Sequence, residues 1–350
     1  MKIRNIDFLK AAAIFLVVLV HFSYVPVEGE HNYWINFILD NLYSCGVIIF
    51  MISTGYLIVN KKYTYQTILK RSLQLILIIF VFKMISYALM GEEWSLSIIL
   101  GGFFDYNGGN VEIGEYRTNH LWYIYVYIGV LLIQPVFYLL YQEKKTYTYF
   151  TIIMVVISFV LVYFFRYAQD IFDFFDPSII SRMKPLNYAN MYTFFLVGGL
   201  LKMYQDNIES FFKEKKYLTL ITAIAFVISL ALATFFAFTL MKKFGSNINP
   251  VTYHYDSPFG LMMGVSLFSL FRFGIRDINN KVISFISANT LGYYFMHWPV
   301  GYIIKEKIFI DNMYANVIGN LFTSIIVMII CGIIIYILKK FKITSWLVKV

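Results

Sequence analysis

Lys10-Ala-Ala-Ala-Ile-Phe-Leu-Val-Val-Leu-Val-His21 decides the fold of this chain: small and apolar residues fill the run, with a cation at one end and an imidazole at the other. The apolar character continues to Val25, which gives roughly the 17 to 25 residues needed to cross the hydrocarbon core of a bilayer. Phe22 to Pro26 stands where a signal peptide would carry a small-residue cleavage site, and further apolar runs come after it, so the stretch reads as a retained span. Ionisable groups inside a span cost about 2.5 to 3.5 kcal/mol each on insertion scales and face a bundle interior or a water-filled cavity. Lys10 and His21 are therefore the first functional lead.

The same pattern recurs along all 350 residues, of which 59% are hydrophobic and 14% charged. A soluble chain is about one quarter charged, so little of this one is left over for a soluble domain. Spans are predicted near Phe8–Val25, Phe37–Val59, Ile68–Leu89, Leu121–Tyr141, Tyr149–Phe165, Tyr188–Met203, Leu218–Leu240, Pro258–Phe273, Val282–Ile304 and Tyr314–Leu338. The expected fold is an all-α integral membrane protein, a bundle of about ten transmembrane helices. No internal repeat and no linker-like stretch divides it, which predicts a single transmembrane domain over residues 1–350.

Loop charge gives the orientation. Of the 29 Lys and Arg residues, 20 fall on the side of the N-terminus and 8 on the other, while Lys83 lies inside the third span. Basic residues concentrate on the cytoplasmic side, so both termini are expected there, and the acidic, glycine-containing segment Gly91–Asn119 is expected outside. Topology thereby accounts for the net charge of +9, and the dispersed basic residues exclude a nucleic-acid partner. Cys45 and Cys331 both fall within spans, where they read as small packing residues; they carry no disulfide framework and no metal site.

Eleven residues at 100° each bring Lys10 and His21 to within about 20° of one helix face, separated by about 16 Å along the axis. Asp7 precedes them by one turn, so the stripe reads Asp7, Lys10, Ile14, Val17, His21 from the cytoplasmic edge outward. In the ninth span, Tyr293-Tyr294-Phe295-Met296-His297-Trp298-Pro299 puts a second imidazole at a similar depth, beside a proline that frees a backbone carbonyl. His120 stands at the outer end of the fourth span, next to Trp122 and Tyr123, where it reads most simply as an exposed loop histidine beside an interfacial aromatic belt. His31 and His254 fall in outer loops with nothing interpretable around them.

Four ordered segments carry a resemblance: Asp7 through Lys10 to His21; Gly46 to Phe50 continuing through Ser53, Thr54, Gly55 and Tyr56; His120-Leu121-Trp122; and Tyr294 to Pro299 with His297. Together they resemble the acyltransferase 3 family of bacterial membrane acyltransferases. That family has about ten spans and a basic residue ten positions before an essential first-span histidine. The departures are Lys10 where Arg is common, Thr54 interrupting the usual Ser-Gly pair, and Lys70-Arg71 where closely spaced arginines often stand. No counterpart of the esterase-like domain of some members is expected.

The resemblance implies transfer of an acyl group, usually acetyl from acetyl-CoA, to a hydroxyl of a cell-surface polysaccharide or its lipid-linked precursor, in a bacterial cytoplasmic membrane. The acyl-CoA would be a donor substrate and not a permanently bound cofactor. On that reading Lys10, Lys70 and Arg71 meet the donor's phosphates by charge. His21, whose imidazole ordinarily titrates near 6.5, acts either as general base or as a transient acyl carrier. His297 and Tyr294 would serve the thioester oxygen or the acceptor, and Asp7 would orient Lys10. Ser53, Tyr56, His120 and Trp122 are further supporting or substrate-binding candidates. The rivals are a transporter or flippase for a lipid-linked sugar, whose fold would show repeats with broken helices, and a non-catalytic membrane subunit of a polysaccharide synthesis complex.

Overall fold

The computed structural model describes residues 5–22, 33–90, 118–165, 189–244, 255, 257–275, 278, 280–307, 317–342 and 344–348. His31, His254 and the greater part of the two large outer loops, Gly91–Asn119 and Tyr167–Asn187, lie outside them. The described elements are helical: α1 (Ile6–Phe22), α2 (Tyr33–Tyr43), α3 (Cys45–Ile58), α4 (Tyr65–Met90), α5 (Trp122–Gln142), α6 (Lys144–Val155), α7 (Ala189–Met203), α8 (Gln205–Glu214), α9 (Tyr217–Phe244), α10 (Pro258–Ser269), α11 (Lys281–Ser287), α12 (Thr290–Lys307) and α13 (Val317–Lys340). A short 3-10 turn, Thr118–Leu121, leads into α5. Wider π-helical turns continue α6 over Val156–Leu161 and α10 over Leu270–Gly274.

Among the described residues, six helices are long and apolar enough to cross a membrane: Phe37–Ile58, Tyr65–Leu89, Trp122–Gln142, Lys144–Phe165, Tyr217–Leu240 and Val317–Lys340. The other four predicted spans coincide with shorter helices, α1, α7, α10 and α12. The long helices turn bulky apolar residues outward, such as Leu220, Ile224 and Val227 on α9 and Ile318, Ile329 and Ile333 on α13. The inward face of α13 carries Asn320, Thr323 and Ser324 instead. An apolar outside around a partly polar inside is the pattern of a chain whose solvent is lipid. This is an all-α membrane protein.

The chain divides into two compact units, one of residues Met1–Lys61 and Val136–Ser287, the other of Lys62–Pro135 and Ala288–Val350. In the first, α3 and α7 meet at glycines. A Cβ on Gly55 would overlap the Phe195 backbone, and one on Gly198 would overlap the carbonyl of Ile52. Only residues without a side chain allow backbones to approach so closely, and such contacts hold membrane helices together by dispersion. α1 packs on α3 in the same way, with Gly46 against the Ala13 carbonyl and Val17.

Polar side chains tie the helix ends of this unit. Asn5, in the left-handed region at φ 57°, donates through Nδ2 to the Ile275 carbonyl at 2.9 Å, while its Oδ1 accepts from the Ile278 N–H at 2.9 Å. At the opposite ends, Asn190 donates to the Tyr255 carbonyl at 2.9 Å, and Phe236 stacks on Phe259 at 5.0 Å.

The second unit holds α4, the first part of α5, α12 and α13. Phe82 of α4 stacks on Phe295 of α12, with centroids 5.0 Å apart and planes at 11°. Gly292 of α12 lies against the Ile335 side chain of α13. Gln74 donates to the Trp346 carbonyl at 3.2 Å, which holds the C-terminal turn to α4.

Candidate functional site

In the first unit, the α1 stripe has half-buried polar ends and a packed middle. Lys10 and His21 are half-buried, whereas Ile14 and Val17 are 0% and 1% exposed. Asp7 accepts a hydrogen bond from the Ser287 hydroxyl at 2.8 Å, which ties the start of α1 to the end of α11. The protein therefore fills the face between Lys10 and His21, and a ligand reaching both would run beside it.

Tyr56 stands at the centre of a polar group that the sequence did not reveal. Its hydroxyl accepts from Arg272 Nε at 3.0 Å and donates to Gln205 Oε1 at 2.8 Å. Lys202 also donates to Gln205 Oε1, at 2.9 Å, with its ammonium 5.1 Å from the Tyr56 ring centre. Arg272 Nη2 lies 3.6 Å from Glu209 of α8. The π-helical turn of α10 carries Arg272, and wide turns of this kind recur where a helix must redirect a side chain. The available signal was an arginine closing an apolar run, which reads as an ordinary flank until its partners are known. Ser53, three residues earlier, is buried, and its hydroxyl makes no hydrogen bond. Its neighbour Thr54 instead bonds back to the Phe50 carbonyl at 2.8 Å.

The second unit brings His120 and His297 together. His120 is 4% exposed, not the exposed loop histidine that its sequence position suggests, because the 3-10 turn folds it beneath α12. Its ring lies edge-on to His297, with centroids 5.1 Å apart, and stacks on Trp298 at 5.6 Å and 23°. The Tyr294 hydroxyl donates to the His120 carbonyl. His297 is fully buried, with Nδ1 at 3.2 Å from the Tyr293 carbonyl. Tyr123 packs on Tyr294 at 5.6 Å and on Trp122 at 6.2 Å. Trp298 belongs to this group by contact, although only its place in the His-Trp-Pro run pointed to it.

Lys70 is exposed on the second turn of α4. Arg71 is half-buried, with its guanidinium 4.9 Å from the centre of the Tyr63 ring. Lys83 is 1% exposed, and its ammonium lies 5.6 Å from the centre of the Tyr125 ring. The thiols of Cys45 and Cys331 are both buried.

A bundle of membrane-length apolar helices with basic and imidazole side chains held inside its spans defines an integral membrane protein with polar groups in its interior. Within that class, the profile of the acyltransferase 3 family, described as an acyltransferase domain, matches residues 3–337. The chain belongs to that family and is a membrane acyltransferase. No curated protein and no solved structure matches it.

Proposed function

We propose that this protein transfers an acetyl group from acetyl-CoA on the cytoplasmic side to a hydroxyl of a cell-surface polysaccharide or its lipid-linked precursor, in a bacterial cytoplasmic membrane. The observation that carries this reading is the pair on α1: Lys10 near its start and His21 in its last turn, both half-buried in a helix that is apolar apart from them and Asp7. Lys10 takes a donor phosphate as a point charge. Lys70 and Arg71, near the start of α4, are assigned to donor phosphates by charge alone.

His21 removes the proton from the acceptor hydroxyl. The new C–O bond forms at the acyl carbon, the C–S bond breaks, and the thiolate leaves as CoA after taking up a proton. By their place in the family's motifs, His297 and Tyr294 of the second unit are assigned to the thioester oxygen or the acceptor, with His120 as a supporting group. Supplying labelled acetyl-CoA to membranes that contain the protein, and following label into the glycan fraction, tests the reading. The His21→Ala variant is expected to lose about 10²- to 10⁴-fold in rate. Lys10→Ala is expected to need more donor for the same turnover. Undiminished transfer by His21→Ala at normal protein levels would sink the mechanism.

A further inference from the structure

The two units differ in the charge of their cytoplasmic ends. Every acidic residue that loop charge places on the cytoplasmic side belongs to the first unit: Asp7, Glu143, Asp206, Glu209, Glu214 and Asp277. There they are mixed with cations, and Glu209 pairs with Lys213 at 3.1 Å. The second unit brings Lys62, Lys70 and Arg71 from the approach and first turns of α4, and Lys339, Lys340 and Lys342 from the end of α13. Residues 62–74, 288–292 and 336–350, its segments on that side, contain no Asp or Glu. Orientation in the membrane requires an excess of basic residues but not the exclusion of acids, so a purely cationic end is more than sidedness demands.

A second observation comes from the outward face of α13. Ile329, Ile333, Tyr336 and Ile337 are all exposed, and their spacing of three and four residues puts them on one stripe of the helix. Lys340 closes the stripe at its cytoplasmic end, with its ammonium 4.6 Å from the centre of the Tyr336 ring. That contact orients the charge without neutralising it. From Ile329 to Lys340 the helix rises about 16 Å, close to half of the roughly 30 Å hydrocarbon core. The apolar stripe thus matches one leaflet in length, and Lys340 stands at headgroup level. Phe341 and Lys342 follow, both exposed. Their segment is fastened: the Thr344 hydroxyl donates to the Leu338 carbonyl at 2.9 Å, and Gln74 holds the Trp346 carbonyl. Lys70, one turn before Gln74, lies on the α4 face that receives this turn.

Lysines beside a membrane span attract anionic headgroups. A free phosphate would need the cations alone, whereas an exposed apolar stripe of one leaflet's length beneath them suits an acyl chain. We propose that the cytoplasmic end of the second unit binds an anionic phospholipid, its headgroup on Lys340 and Lys342 and an acyl chain along the Ile329 to Ile337 face of α13. This is a contact with the membrane's own lipid and stands apart from the acyl-transfer reading.

The test is thermal melting of the full-length protein purified in detergent, at constant ionic strength, with added phosphatidylglycerol, phosphatidylcholine or glycerol 3-phosphate. Phosphatidylglycerol is expected to raise the melting temperature by about 2 °C or more over phosphatidylcholine, and glycerol 3-phosphate is expected to leave it unchanged. The Lys340→Gln/Lys342→Gln double variant should lose most of that difference, since each lysine is worth roughly fivefold in attraction to an anionic surface. Both side chains are exposed, so the variant is expected to fold. Lys340→Arg/Lys342→Arg should keep the difference. Lys215→Gln/Lys216→Gln, which removes the same charge from exposed positions of the first unit, should also keep it. No difference between the two lipids in the wild type overturns the proposal. So does an equal response to glycerol 3-phosphate, which would mean a free-phosphate site, or an equal loss in both glutamine doubles, which would mean attraction to overall charge. Acetyl transfer does not enter the measurement, so a failure of the proposed function leaves this result unaffected.

Discussion

At the scale of single residues, the Tyr56 hydroxyl makes the clearest energetic prediction. It joins α3 to Gln205 and Arg272 through two hydrogen bonds at 2.8 and 3.0 Å. Tyr56→Phe leaves the Arg272 Nε–H short of a partner, while Gln205 Oε1 keeps Lys202, and this costs about 1 to 3 kcal/mol. A lower melting temperature of the purified protein, with normal insertion into membranes, is the expected result; no change would mean that water replaces the hydroxyl. Arg272→Met is expected to cost as much or more, since it also removes the partner of Glu209. For His120 and His297, packing at 5.1 Å predicts coupling. The double alanine variant should lose less activity than the product of the two single losses, because neighbours in contact are not additive. Independent effects in the label-transfer assay would contradict that.

At the scale of helices, the α3–α7 contact depends on glycine at two positions. Gly55→Val or Gly198→Val forces a side chain into a facing backbone, where overpacking costs about 1 to 3 kcal/mol or more. Reduced yield of monodisperse protein and a lower melting temperature are expected; tolerance of both substitutions would mean that the helices slide apart freely. Much of the element pattern was legible in the sequence. Apolar runs located the spans, because crossing a bilayer demands a fixed length of apolar chain. What escaped was α8, Gln205–Glu214, a charged helix taken for part of a loop. Its charge hides it from hydropathy, and its place is fixed by distant partners, Tyr56 and Arg272. The wide turn at Leu270–Gly274 was equally invisible, since its sequence is an ordinary apolar run that ends in Arg and Gly.

At the scale of the whole molecule, loop charge predicts the sidedness. Lys213 of α8 is 71% exposed and falls on the side assigned to the cytoplasm. A Lys213→Cys variant is expected to react with a membrane-impermeant maleimide in inverted vesicles and not in intact cells, against the two buried native thiols. Labelling from outside would reverse the orientation and, with it, the side from which acyl-CoA arrives.

The sequence by itself determined that this chain lives in a membrane, roughly where it crosses, and which of its motifs match the acyltransferase 3 family. Those properties reside in local runs and in residue order. Only the tertiary structure decided that His120 is buried against His297 and Trp298, that Tyr56 holds Arg272 and Gln205, and that Lys83 lies beside the Tyr125 ring. Each of those contacts joins residues far apart in the chain, and packing alone sets which helix faces meet and at what level.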